Sequence, residues 1–76
     1  SEALADAERL VTLAPDDVLS WTTLAAARTG NKDAAGGRAA AERALALDPR
    51  SVSALIQRAN ALVAKSEWDG ARADVE

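Results

Sequence analysis

The stretch LVTLAPDDV, residues 10–18, is repeated in outline by LALDPRSV, residues 45–52, with a proline and a valine at matching places. Aligning Pro15 with Pro49 shifts the chain by 34 residues against itself. The shift leaves 42 aligned pairs, 13 of which are identical, and the identities extend through the whole overlap. A fixed period of this length is the mark of a repeat protein, so we interpret the chain as copies of a 34-residue unit.

Helical spacing and stop signals predict five helices separated by short turns. Proline lacks an amide donor and disfavours the helical conformation of the residue before it, so Pro15 and Asp48-Pro49 should each end a helix. Residues with short oxygen-bearing side chains are favoured helix N-caps. The expected caps are Asp17, Asp33, Ser51 and Ser66, the last through the capping-box pattern Ser66-x-x-Asp69. We therefore expect an all-α fold.

Composition restricts the classes of function. The 76 residues carry a formal net charge of −3 without a cluster of Lys and Arg, which argues against nonspecific nucleic-acid binding. No apolar run approaches the roughly 18 residues of a membrane span, and no targeting segment is visible in this piece. We expect neither nucleic acid nor membrane insertion for this segment. Cytoplasm and periplasm both remain open as compartments.

Catalytic and metal-binding chemistry finds little support. His and Cys are absent, which excludes the usual catalytic triads, thiolate nucleophiles and zinc ligand sets from this segment. Asp16-Asp17 follows a helix-ending proline and is interpreted as a solvated turn with a cap. Gly36-Gly37 lacks the Lys-Ser or Lys-Thr of a phosphate loop. We expect no enzyme activity, no cofactor and no metal.

The pattern of large and small residues resembles the tetratricopeptide repeat, a helix-turn-helix unit of 34 residues. Its signature of W-x2-L-G-x2-Y, then A-x3-F, then P is approximated by Trp21, Leu24, Ala25, Arg28, Gly37, Ala41 and Pro49. The ending ALIQRANALVAKSEWDGARADVE is similar to common bacterial versions. The resemblance implies one domain over 1–76: a second helix in 1–15, a full repeat in 16–49 and a partial repeat in 50–76. It also implies an α-solenoid of antiparallel helix pairs, with a right-handed superhelical twist.

The middle unit departs from the pattern in volume. Arg28 stands where the pattern has an aromatic residue, and Ala34 stands where the next unit has Trp68. The two helices of the middle unit must therefore approach closely or leave a void. We expect the close approach at Gly37, where the pattern requires a small residue, and the packing does not account for Gly36.

The resemblance also implies where a partner would bind. In this family the first helix of each pair lines a concave surface that holds extended or helical peptides. The residues expected on that surface, here called the groove set, are Leu19, Thr22, Ala26, Thr29, Ser53, Ile56, Asn60 and Val63. The set is mostly apolar with short polar groups, which suits a hydrophobic peptide or a helix face.

Individual members of the surface have competing interpretations. An asparagine at the place of Asn60 hydrogen-bonds the ligand in several relatives, although an ordinary solvated or inter-repeat hydrogen bond is the slightly preferred interpretation. Chaperone-binding members carry a lysine one turn earlier, where this chain has Ile56. That substitution disfavours a clamp for carboxylate tails. Trp21 and Trp68 occupy signature positions and are interpreted as core residues rather than ligand-stacking aromatics.

Two functions remain after this reasoning. The preferred one is a protein-interaction scaffold that binds a peptide or partner helix in the concave groove. The alternative is a structural or oligomerisation segment of a larger bacterial protein, for envelope assembly, secretion or the linking of a catalytic domain. Stacked repeats bury their faces only against neighbours, so the end helices should expose apolar residues and could form a homo-oligomer. The residues concerned are Leu4, Leu10, Val11, Trp68, Ala71 and Val75.

Overall fold

The boundaries of the helices follow the caps that the sequence provides. A computed structural model describes the backbone of residues 2–75 and the side chains of residues 2–68. It contains, over those residues, α1 (Glu2–Leu13), α2 (Val18–Gly30), α3 (Ala34–Leu47) and α4 (Val52–Val75). The all-α prediction is confirmed. The predicted number of five helices is wrong, because the two last predicted helices form the single helix α4.

The three predicted caps upstream of Ser66 are confirmed by their hydrogen bonds. The Asp17 carboxylate accepts from the amide of Leu19 at 3.0 Å, and the Asp33 carboxylate accepts from the amide of Gly36 at 2.9 Å. The Ser51 hydroxyl oxygen accepts from an amide in the first turn of α4 at 3.1 Å. Each bond satisfies an amide that the helix itself leaves without a partner, which places the start of the helix.

The turn between α2 and α3 has local features that halt a helix. Asn31 is the C-cap of α2, and its Nδ2 donates to the carbonyl of Ala27 at 2.8 Å. Lys32 has a φ of 66°, in the left-handed region. Asp33 then caps α3. The chain thereby reverses direction within a few residues.

The matching positions in α4 lack these features, which explains why a fifth helix does not form. The positions of Gly30, Asn31, Lys32 and Asp33 correspond to the run Ala64-Lys65-Ser66-Glu67. Alanine and lysine are strong helix formers, and glutamate is not among the favoured N-caps. The helix therefore continues through Ser66, and the expected capping box does not start a new helix. The side chain of Asp69 lies outside the described residues.

Small side chains form most of the buried core. The central cluster contains Ala7 from α1, Leu24 and Ala25 from α2, and Ala40 and Ala41 from α3. Leu24 is the largest fully buried side chain among the described residues. Helix α2 packs against all three other helices, and α3 also packs against α4. The core is therefore built around α2.

The close approach predicted at Gly37 is confirmed. A methyl group added there would collide with the Thr29 hydroxyl and would lie 3.0 Å from the carbonyl oxygen of Ala25. Gly36 has a different explanation, since a Cβ there would collide with the capping carboxylate of Asp33. The adjoining glycines therefore serve two purposes. Gly37 allows α2 to pack closely against α3, and Gly36 leaves room for the Asp33 cap.

Candidate functional site

The candidate binding surface is formed by α2 and α4, which lie against each other. These are the first helices of the two units, as the repeat register requires. Their adjacency brings the two halves of the groove set to neighbouring helices. The structure does not place all eight members on the surface, so each half is described separately.

On α4 all four predicted residues are exposed. Ser53, Ile56, Asn60 and Val63 recur at intervals of three, four and three residues, which keeps them on one helical stripe. Ile56 and Val63 remain 51% and 56% exposed. No charged side chain interrupts the stripe, and the only polar groups on it are the Ser53 hydroxyl and the Asn60 amide.

On α2 two of the four predicted residues are exposed, one is half-buried and one is buried. Leu19 is 68% exposed and Ala26 is also exposed. Thr22 is buried, and its hydroxyl donates to the carbonyl oxygen of Leu19 at 3.0 Å. Thr29 is half-buried against Gly37, so its side chain lies between α2 and α3. Its hydroxyl oxygen is buried without a hydrogen-bond partner among the described residues.

Trp21 belongs to the scaffold of this surface, in agreement with its interpretation as a core residue. The ring packs against the central core cluster while remaining half-buried. Its Nε1 donates to the carbonyl oxygen of Pro15 at 2.7 Å. The guanidinium carbon of Arg43 lies 5.7 Å from the ring centroid, within the range of a cation–π contact. From its position on α2, the Trp21 side chain thus contacts both the turn after α1 and helix α3.

Arg28 replaces the aromatic residue of the repeat pattern by reaching across to α3. Its Nη1 donates to the carbonyl oxygen of Gly36 at 3.3 Å, and the side chain is half-buried. The long aliphatic part of an arginine can cover apolar surface while its head remains polar. This contact was not predicted from the sequence, since it depends on the small separation between α2 and α3.

A second concave region lies between α3 and α4. It is a groove of about 210 Å³, here called the α3–α4 groove. Its lining residues are Ala34, Ala35, Arg38, Ala39, Glu42, Ala61, Leu62 and Lys65. Sequence reasoning did not identify it, because it exists only where α4 continues past the expected turn.

The described residues contain no arrangement typical of metal binding or membrane insertion. No group of three or more His, Cys, Asp or Glu side chains converges in this part of the chain. No described helix is both long and apolar enough to cross a membrane. Asp17, one of the paired carboxylates after Pro15, is engaged as a helix cap.

The chain is similar to part of a known protein. The chain is 53% identical over 49 residues to the Hsp70-Hsp90 organizing protein of wheat, Triticum aestivum. The match covers 64% of this chain and 8% of that protein. No family model matches the chain, and no solved structure matches it. With the all-α architecture, the match favours helical repeats of the tetratricopeptide type.

Proposed function

We propose that this chain is a protein-interaction module that binds an apolar peptide or partner helix along the face shared by α2 and α4. The observation that carries the proposal is the uncharged stripe on α4. Ile56 and Val63 are each about half exposed, and Leu19 extends the apolar surface onto α2. Exposed aliphatic side chains clustered on one face are typical of interaction surfaces.

The ligand chemistry follows from the side chains available. Leu19, Ile56 and Val63 would bury apolar side chains of the partner, which supplies most of the binding energy in helix-in-groove recognition. Asn60, exposed between Ile56 and Val63, can donate to or accept from the partner's backbone. Thr22 and Thr29 stabilise the α2 side of this face through the contacts described above, and their direct contact with a ligand stays a prediction.

The similarity to a chaperone-organizing protein supports a protein ligand. The kind of ligand is inferred from the residues of this chain. The groove set contains no Lys or Arg. A carboxylate-terminated peptide would therefore find no cation on this stripe, and its desolvated charge would oppose binding. We propose that apolar side chains, rather than an acidic terminus, are the feature recognised.

A phage-displayed library of random dodecapeptides, selected on the immobilised chain, tests the proposal. We expect enriched peptides to carry several large aliphatic or aromatic residues, and Ile56→Glu to lower their binding at least tenfold. Leu13→Glu is the matched control, because Leu13 is an exposed aliphatic residue on α1. It should leave binding unchanged. Helical circular dichroism of both variants checks folding.

Two results would contradict the proposed function. One is enrichment of peptides defined by acidic residues, which would show that the site recognises carboxylates. The other is unchanged binding in Ile56→Glu with its helix content intact, which would place the ligand elsewhere on the molecule.

A further inference from the structure

The α3–α4 groove is flanked by apolar side chains that an additional helix could cover. Leu55 and Leu62 remain 41% and 44% exposed, and Leu62 lines the groove itself. They occupy the repeat positions of Trp21 and Arg28, which both contact α3 in the first unit. The groove therefore lies where a helix equivalent to α3 would pack on the first half of α4.

The chain itself contains the segment that matches such a helix. Shifted by 34 residues, the first turns of α3 correspond to residues 67–75, and Gly36, Arg38 and Ala39 are identical to Gly70, Arg72 and Ala73. In the first unit, α3 packs back onto α2 after a short turn. Residues 67–75 thus have the sequence of a helix that packs on the first half of α4.

Within one chain this segment does not reach the groove. Helix α4 has 24 residues, so it extends about 36 Å at 1.5 Å per residue. Its second half continues away from its first half instead of reversing. Each copy of the chain therefore presents an uncovered groove and a helical segment of matching sequence.

We propose that residues 67–75 of one copy dock into the α3–α4 groove of a second copy, in a reciprocal exchange that forms a symmetric dimer. Exchange of an identical element between protomers is a low-cost route to dimers, and changes in the connecting turn promote it. The replaced turn here is Ala64-Lys65-Ser66-Glu67. The two-fold axis of this dimer lies near Ser66, because Ser66 is midway along α4 between the docking segment and the residues that line the groove.

Charge and the burial of apolar side chains both favour this occupant. The groove carries Arg38 and Lys65 against the single acid Glu42. Residues 67–75 carry three acidic residues and one basic residue, so the two surfaces have opposite net charge. The exchange also buries Leu55 and Leu62. The exchange differs from the peptide-binding proposal in using Leu55 and Leu62 instead of Leu19 and Ile56, and the two proposals share only Val63.

Engineered disulfides can test the exchange, since the chain has no cysteine of its own. A Cβ at Gly37 would lie 3.3 Å from the Cβ of Thr29, close to the separation that a disulfide requires. The equivalent pair in the second unit is Val63 with Ala71. The double variant Val63→Cys/Ala71→Cys is refolded under mild oxidation and analysed by non-reducing electrophoresis. Thr29→Cys/Gly37→Cys is the matched control and should close within one chain.

We expect Val63→Cys/Ala71→Cys to migrate as a covalent dimer. Mixing differently tagged chains, one with Val63→Cys and one with Ala71→Cys, should give a cross-linked pair that carries both tags. A cross-linked monomer would overturn the proposal, because it would show that the segment folds back on its own chain. Failure to form the 63–71 disulfide, while the control closes and helix content is retained, would overturn it as well.

Discussion

Residues 18–47 and residues 52–75 share one repeat register, yet the first stretch forms two helices and the second forms one. In the first, Asn31 caps α2, Lys32 adopts a positive φ and Asp33 caps α3. In the second, the matching run Ala64-Lys65-Ser66-Glu67 remains helical. The register of a repeat therefore positions its apolar residues, while a few turn residues decide whether the chain reverses.

The two units also differ in how far the first helix of each is buried by a second helix. In α2 the side chains of Trp21 and Arg28 contact α3, whereas Leu55 and Leu62 at the same positions of α4 remain partly exposed. Burial of apolar area is the main favourable term in folding. Stability should therefore be concentrated in the first unit, and the second should be more sensitive to partners.

The largest expected effect comes from the centre of the first unit. Leu24→Ala should lower the free energy of unfolding by about 2–5 kcal/mol, because Leu24 is fully buried and its truncation leaves a cavity. Arg58→Ala alters the same register position in α4, where the side chain is only half-buried. It should cost less than half as much. Urea denaturation of the two variants measures the difference; equal losses would show that both units contribute equally to the core.

Adjacent glycines give the next largest contrast. Gly37→Ala should destabilise the fold by about 1–3 kcal/mol, since its methyl group would press against the backbone of Ala25 and overpack the interface. Gly36→Ala should be close to neutral. Its gain in helix propensity, about 1 kcal/mol, offsets the displaced Asp33 cap, also about 1 kcal/mol. Thermal unfolding of both variants checks the order, and a stabilising Gly37→Ala would rule out the close approach.

Glycine at the two matched turn positions should have opposite effects. Lys32→Gly should stabilise the fold by about 0.5–1 kcal/mol, because glycine adopts a positive φ without steric cost. Ser66→Gly should lower helix content, since Ser66 lies within α4 and glycine is a poor helix former. Circular dichroism and denaturation measure both. A gain of stability in both variants would indicate that the two positions have the same conformation.

Much of the architecture could be predicted from residues whose effect is local. Pro15, Asp17, Asp33 and Ser51 act on their own backbone, and the structure confirms the helix ends that they predict. Ser66 has the side chain of a cap but follows Ala64-Lys65, which favours continuation of the helix. A capping pattern is therefore insufficient without a residue that ends the preceding helix.

The binding surface was harder to predict because it depends on distances between helices. Thr22 and Thr29 lie on the helical stripe that the register predicts, yet Thr22 is buried and Thr29 faces Gly37. Their positions follow from the small core residues of α2 and α3, which allow a close approach. Peptide binding by Leu19, Ala26, Ser53, Ile56, Asn60 and Val63 stays a prediction, as do Thr22 and Thr29 as ligand contacts.

The central claim is that the turn sequence decides between one helix and two, and a distance measured within one chain tests it most directly. Spin labels on Ser53→Cys and Asp74→Cys, in a chain diluted with unlabelled protein, report that distance by double electron–electron resonance. Residues 53 and 74 are 21 positions apart, which predicts a backbone distance of about 32 Å in a continuous helix. Replacing Ala64-Lys65-Ser66-Glu67 by Gly-Asn-Lys-Asp, the run at residues 30–33, should shorten the distance to less than half. A short distance in the unmodified chain would contradict the account.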